Sequence, residues 1–335
     1  MRRAAAGGVV TLTINPAIDL SATVDVLDPT CKLRCRDLRR DPGGGGINVA
    51  RAVCRLGGSA LAIFPAGGEP GEHIRVGLRS EGVPFLDIPI AGHTRENVNL
   101  WEDETGRQFR LCFPGPTLDT AEVRHCVDRL LDLRPLPRFV IASGSLPPGV
   151  PPTFYADIAL AARTRGIRFV LDTSGEPLRL AAAAGVALMK PSLAEFEELT
   201  GATRQETPEV LAGTRDLIRG GAAESVIVSL GARGVIWADR ESGGGFASPL
   251  VAPHGSVGAG DSMVAAVVLA LMRDEPLEEA VRYGVAAAAA SVLNPGTALF
   301  HRADVERLLP QVTPLRFDGA PAAPTRGNET TPASS

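Results

Sequence analysis

From His254 to Met272 the chain reads HGSVGAGDSMVAAVVLALM, and the residue types here point to handling of an anion. Gly258 and Gly260 free the backbone at the start of a strongly apolar run of helical length. Gly258, Ala259 and Gly260 would then gather unpaired N–H groups and the positive end of a helix dipole at one point, which suits a phosphoryl group. Asp261 stands directly beside that point. A carboxylate is a weak base for an alcohol. A loose phosphoryl-transfer transition state, however, needs the proton removed only late, so position counts for more than basicity. Taken alone, Gly-x-Gly-Asp is also what an ordinary helix cap looks like. A second glycine cluster weighs against that reading. In PGGGGINVARAVCRLG (42–57), four consecutive glycines precede a helical run. They allow close backbone approach to a ligand, and Asn48 offers a donor and an acceptor to hydroxyls. One loop suits hydroxyls and the other suits phosphate.

The 34 basic residues include only two lysines, Lys32 and Lys190. In a chain so biased to arginine, a surviving lysine marks a place that wants a compact ammonium rather than a planar guanidinium. The 335 residues are 44% hydrophobic and 21% charged, with a net charge of −4. That balance gives no bulk attraction to nucleic acid or to an anionic membrane. No run of about 20 apolar residues is present to span a bilayer. VVTLTIN after the basic opening MRRAAAGG is too short for the apolar region of a signal peptide, so a cytoplasmic location is expected. The five cysteines, Cys31, Cys35, Cys54, Cys112 and Cys126, show neither a CxxC pair nor zinc-spaced histidines and are expected to be reduced.

Short buried-strand patterns recur at 9–14, 60–64, 138–142, 168–172, 186–190 and 224–230, with amphipathic helical stretches such as 47–56, 71–81, 120–132, 152–165 and 207–220 between them. Strand and helix in alternation imply an α/β fold with a mainly parallel sheet covered on both faces. Ligands then gather at the carboxyl ends of the strands. Residues 17–41 and 94–113 lack helical spacing, and NVNLWED with RQFRLCF forms a hairpin pattern around Thr105 and Gly106. Together they would make a small sheet off the main body. Residues 1–8 and 315–335 are expected to be tails, and the Asn328 sequon has no meaning in a cytoplasmic protein.

With GGGGINVARA, SGSLPPGV (143–150), MKPSLAEFEEL (189–199), VSLGARGV (228–235) and VGAGDSM (257–263) in register, the chain resembles the phosphofructokinase B family of ribokinase-like sugar kinases over residues 9–310. NPAID, KLRC, FPAGGEPGEH and LNPGT resemble the minor, type II 6-phosphofructokinases, while 1-phosphofructokinases and tagatose-6-phosphate kinases usually carry lysine where this chain has Gly45. The resemblance implies a ribokinase-like Rossmann-type sandwich with a β lid, formed by about 17–41 and 94–113, through which a homodimer assembles. It implies ATP, Mg²⁺ and in many relatives K⁺. By resemblance, Asp19 and Asn48 with Gly44, Gly45 and Gly46 bind sugar hydroxyls, and Lys32, Arg34, Arg95 and Ser145 hold the substrate's phosphate. Asp261 is the base above the Gly258–Gly260 anion hole. Lys190 reaches the ATP phosphates, Ser192 belongs to the same element, and Ser229, Gly231, Gly234 and Val257 line the nucleotide. Glu195 organises Mg²⁺ through water, and carbonyls at Val257, Asn294 and Gly296 suit K⁺.

Plainer roles stay open: Asp19 as a turn residue, Glu195 as a solvated helix face, Arg34 and Arg95 as surface charges. The chain also departs from its relatives. Ser192 stands where they have Asn in an Asn-x-x-Glu element, and Ala194 where they often have Lys. The resemblance implies an ATP-dependent 6-phosphofructokinase. The alternatives are a 1-phosphofructokinase or tagatose-6-phosphate kinase and, more distantly, a non-catalytic sugar or nucleotide sensor.

Overall fold

In the computed structural model, described at residues 8–203, 206–255, 257–294, 296 and 298–316, the alternating pattern becomes layers. The first strands are β1 (Val9–Leu12), β2 (Ala17–Val24) and β3 (Arg36–Gly43), followed by helix α1 (Gly45–Arg55). Next come β4 (Ala60–Ala66), α2 (Gly68–Ser80), β5 (Phe85–Pro89), β6 (Arg95–Glu102), β7 (Arg107–Leu111) and α3 (Thr120–Leu131). The middle holds β8 (Phe139–Ser143), α4 (Phe154–Arg163), β9 (Arg168–Asp172), α5 (Gly175–Ala184), β10 (Val186–Met189), α6 (Leu193–Thr200) and α7 (Thr207–Arg219). The last part is β11 (Ala223–Ser229), β12 (Val235–Ala238), β13 (Gly243–Ala247), α8 (Ala259–Leu271), α9 (Leu277–Ser291), α10 (Arg302–Leu308) and β14 (Thr313–Pro314).

Ten strands form one sheet in the order β14-β13-β12-β11-β10-β9-β8-β1-β4-β5. From β11 to β5 every pairing is parallel, while β12, β13 and β14 add an antiparallel edge. Strand residues alternate between two cores. Phe139 and Ile141 face one core with α1, α8 and α9, and Val140 and Ala142 face the other with α3, α4 and α5. The expected α/β architecture is the observed one. A second sheet, in the order β3-β2-β6-β7, is built from residues 17–43 and 95–111. Trp101 of β6 stacks on His254, tying this small sheet to the loop before α8.

Of the tails expected at 1–8 and 315–335, residues 1–7 and 317–335, with the Asn328 sequon, lie outside the described residues. Leu315, expected to open the C-terminal tail, instead donates its N–H to Gly245 O at 2.9 Å, which keeps the chain on the sheet edge through that residue. No described helix is long and apolar enough to cross a membrane.

Candidate active site

Helix α8 is buried on all sides from Ser262 to Ala270, so its start is fixed by core packing. Gly258 caps it in the left-handed conformation at φ 80°, which a residue with a Cβ adopts only under strain. Asp261 in the first turn is held from two other elements. Asn48 Nδ2 of α1 donates to its Oδ2 at 3.0 Å, and Ser143 Oγ at the carboxyl end of β8 donates to its Oδ1 at 3.0 Å. Burial and then the neighbouring Asp172 push the Asp261 carboxyl up to about 6, against the two hydrogen bonds and Lys190, which pull it down.

Lys190, which follows β10, and Asp172, the last residue of β9, meet beneath that turn. Lys190 Nζ lies 3.1 Å from Asp172 Oδ1. A Cβ on Gly260 would come within 3.2 Å of Lys190 Nζ, so glycine lets the helix start settle on the ammonium. Burial draws the lysine pKa down, but Asp172, Glu195 and Asp261 outweigh it, and the ammonium keeps its proton well above neutral pH. Burial raises Asp172 against the pull of Lys190.

On one side of this cluster lies a cavity of about 390 Å³ with mostly apolar walls, bounded by Ser229, Gly231, Gly234, Ala259 and Gly260. Ser192 bridges to Ser229 and forms a capping box with Glu195: Glu195 N donates to Ser192 Oγ at 3.3 Å, and Ser192 N donates to Glu195 Oε2 at 2.7 Å. On the other side, a broad cavity of about 590 Å³ is bounded by Asn15, Arg95, Cys112, Phe113 and Ser145. Asn15 Nδ2 donates to Ser145 Oγ at 3.2 Å. Arg95 donates to Phe113 O at 2.9 Å and Asn15 O at 3.1 Å, and its buried Nε has no hydrogen-bond partner among the described residues. Asp19 accepts from Asn97 at 2.9 Å and packs on Gly43, its carboxyl raised by burial despite Asn97 and nearby arginines.

Against known proteins, the pfkB family carbohydrate kinase model matches residues 9–303. The chain belongs to the pfkB family of carbohydrate kinases. It is 47% identical over 300 residues to the ATP-dependent 6-phosphofructokinase isozyme 2 of Mycobacterium tuberculosis, covering 89% of this chain and 88% of that one. The Escherichia coli K12 isozyme 2 is 40% identical over 301 residues, covering 90% and 97%. A crystal structure of the phosphofructokinase-2 from Escherichia coli in complex with substrates and products matches with a TM-score of 0.87 at 38% identity, over 91% of this chain and 99% of that one. The resemblance read from the sequence is borne out. This carbohydrate kinase is a phosphotransferase with an alcohol acceptor.

Of the residues singled out from sequence, Asp261, Asn48, Lys190 and the turn Gly258–Gly260 converge, and Ser229, Gly231 and Gly234 share the apolar cavity with that turn. Arg95 and Ser145 share the other cavity, while Lys32 and Arg34 stand exposed on the loop between β2 and β3 and do not border it. Gly44 caps α1 at φ 103°, and Gly45 and Gly46 press on Ser143 and Thr13 with no room for a Cβ. Val257 is buried ahead of α8. A Cβ on Gly255 would lie 3.1 Å from Asn294 O and 3.7 Å from Gly296 O, so both carbonyls lie beside the loop that precedes α8. Pro295 and Thr297 of LNPGT lie outside the described residues. No group of three or more His, Cys, Asp and Glu side chains among the described residues can hold a metal directly. Glu195 borders a small cavity between α5 and α6 together with Glu176, Glu198 and Arg179. Ser143, Asp172, Asn15 and Asn97 were not singled out from sequence. Ser143 and Asp172 both end strands on the ligand-binding side, and that position was the available signal.

Proposed function

We propose that this kinase is an ATP-dependent 6-phosphofructokinase that phosphorylates the C1 hydroxyl of fructose 6-phosphate. The observation that carries the reading is the place of Asp261. It adjoins Gly260 of the apolar cavity and bonds Ser143, two residues from Ser145 of the polar one. ATP fits the first cavity with its phosphates toward the α8 start and Lys190, and the sugar phosphate fits the second. Asp261 takes the C1 hydroxyl proton as that oxygen bonds the γ-phosphorus. The bond from the γ-phosphorus to the β–γ bridging oxygen breaks, and ADP leaves with the electron pair. The first-turn N–H groups of α8 and the Lys190 ammonium face the charge that gathers on the transferred group. Glu195, through water and with help from Ser192, would hold Mg²⁺, which neutralises phosphate charge when bound. Carbonyls of Asn294 and Gly296 beside Val257 would hold K⁺. Asp19 and Asn48 bind sugar hydroxyls, and Arg95 binds the substrate's phosphate. The reaction belongs in the cytoplasm, where ATP and reduced thiols occur together, and the five cysteines form no disulfide.

A coupled ADP-release assay over phosphorylated and free sugars tests this. Fructose 6-phosphate is expected to give the highest kcat/KM. A preference for fructose 1-phosphate or tagatose 6-phosphate would move the assignment to those kinases, and no turnover with any sugar would make the protein a sensor.

A further inference from the structure

Arg51 lies beneath the glycine loop, on α1, and borders neither of the two cavities. Its side chain is 0% exposed. Nε donates to Glu81 Oε1 at 3.1 Å and Oε2 at 2.9 Å, and Nη2 donates to Glu81 Oε1 at 2.6 Å. Nη1 donates to Pro42 O at 2.8 Å, at the entrance to the glycine loop, and lies 3.5 Å from Asn48 Oδ1. Asp41 Oδ1 is 3.9 Å from Nη2. A buried ion pair adds little stability over a well-packed apolar pair of similar volume, so folding alone accounts poorly for an enclosed guanidinium here.

The Asn48 amide stands between this cation and the Asp261 anion. Its oxygen faces Arg51 and its nitrogen donates to Asp261 Oδ2 at 3.0 Å. A half-turn of the amide would set its N–H₂ against the guanidinium and its oxygen against the carboxylate. Two attractions would become two repulsions in a site where little water screens them. Asp261 and Arg51 select the same orientation from opposite sides of the amide, the carboxylate at its nitrogen and the guanidinium at its oxygen.

We propose that Arg51 is a positioning residue for phosphoryl transfer: it locks the Asn48 amide with its N–H₂ toward Asp261 and anchors the glycine loop at Pro42 in register with that contact. The inference rests on Asp261 being the base. The other groups facing Asp261 are Ser143 from β8, Asp172 from β9 and Lys190 after β10.

The test is kcat against pH, at saturating ATP and fructose 6-phosphate, for the wild type, Arg51→Lys, and the double variant Arg51→Met with Glu81→Met. Lysine keeps the charge and loses the fork. The double variant removes both charges of the pair. Arg55, 3.7 Å from Glu81, keeps its bond to Phe300 O, and Asp41 keeps Arg39, so circular dichroism and a melting curve check the fold. Both are expected to lower kcat at neutral pH by roughly ten- to hundredfold, with KM for ATP changed by less than about threefold. Both should also move the acid limb of kcat to higher pH, because Asp261 loses a hydrogen bond that favours its charged form. Folded variants whose acid limb stays where the wild type has it overturn the proposal, since a purely structural pair would change melting temperature and leave the limb in place. The base reading fails separately, through an Asp261→Asn variant that keeps its turnover.

Discussion

The Lys190 ammonium lies 3.1 Å from Asp172 Oδ1, and the side chains are only 6% and 15% exposed. The pair stands under the first turn of α8, so a change in either group is felt where the nucleotide phosphates are proposed to sit. Removing Asp172 takes the nearest counter-charge from the enclosed ammonium and leaves it the weaker influence of Glu195 and Asp261. Asp172→Ala is expected to cost about 3–5 kcal/mol of unfolding free energy, while Asp172→Leu combined with Lys190→Met costs far less. Urea unfolding measures both, and equal losses in the two would show that the charges do not depend on each other.

Asp261→Asn preserves shape and the Asn48 contact but cannot accept a proton. It should lower kcat by about 10²–10⁴-fold while both KM values stay within a few-fold of wild type. Near-normal kcat would reduce Asp261 to a helix cap.

Much of this arrangement is legible in the sequence because residue type and spacing announce it. Strands buried on both faces read as apolar runs, and those at 9–14, 60–64, 138–142, 168–172, 186–190 and 224–230 lie side by side in the parallel part of the sheet. The antiparallel edge is different. Gly243–Gly245 in β13 has no side chains to form a pattern, and its pairing of Gly245 with Ile236 is set by the neighbouring strand. At the site, two glycine clusters and one Asp carry their own signal. Ser143 and Asp172 do not, because a single serine or aspartate ending a strand gains meaning only when the sheet sets it beside α8. Arg51 is one arginine among many in an arginine-rich chain, and nothing in its spacing distinguishes the enclosed one.

The raised carboxyl also predicts a pH-dependent stability. Asp261 is pushed up to about 6 in the folded protein, whereas an unfolded aspartate titrates near 4. A carboxyl that holds its proton more tightly when folded favours the folded state at low pH. That contribution is lost as pH climbs from about 4 to about 6 and stays lost above. Asparagine has no such charge to bury. Asp261→Asn should therefore be more stable than wild type at pH 7.5, by on the order of 2 kcal/mol because Asp261 is only half-buried, with the gap closing below about pH 4. Denaturation at the two pH values decides it, and a variant less stable at pH 7.5 would mean the charge is well compensated.

Lys32 poses a sharper question, because the family resemblance assigns it to the substrate's phosphate yet it stands exposed on the β2–β3 loop, away from the cavity that Arg95 and Ser145 border. The small sheet nearby leaves Leu38 on β3 and Phe109 and Leu111 on β7 exposed. Those strands are its two open edges, and open apolar edges invite pairing with a second copy. If a partner's sheet covers them, a Lys32 side chain can serve the neighbour's site. Lys32→Ala should then raise KM for fructose 6-phosphate by roughly ten- to hundredfold, equivalent to about 1.4–2.8 kcal/mol, and change KM for ATP much less. Light scattering at saturating substrate should give a dimer. Mixing the Lys32→Ala and Asp261→Asn proteins should restore activity at low fructose 6-phosphate, since a mixed dimer holds one site with an intact lysine from one copy and an intact aspartate from the other. A monomer in scattering, or no recovery on mixing with a full effect of Lys32→Ala, would place Lys32 in its own chain's site through a movement of the loop. A fructose 6-phosphate KM that ignores Lys32 would remove it from the site altogether and weaken the assignment of a 6-phosphate grip, leaving the kinase family untouched.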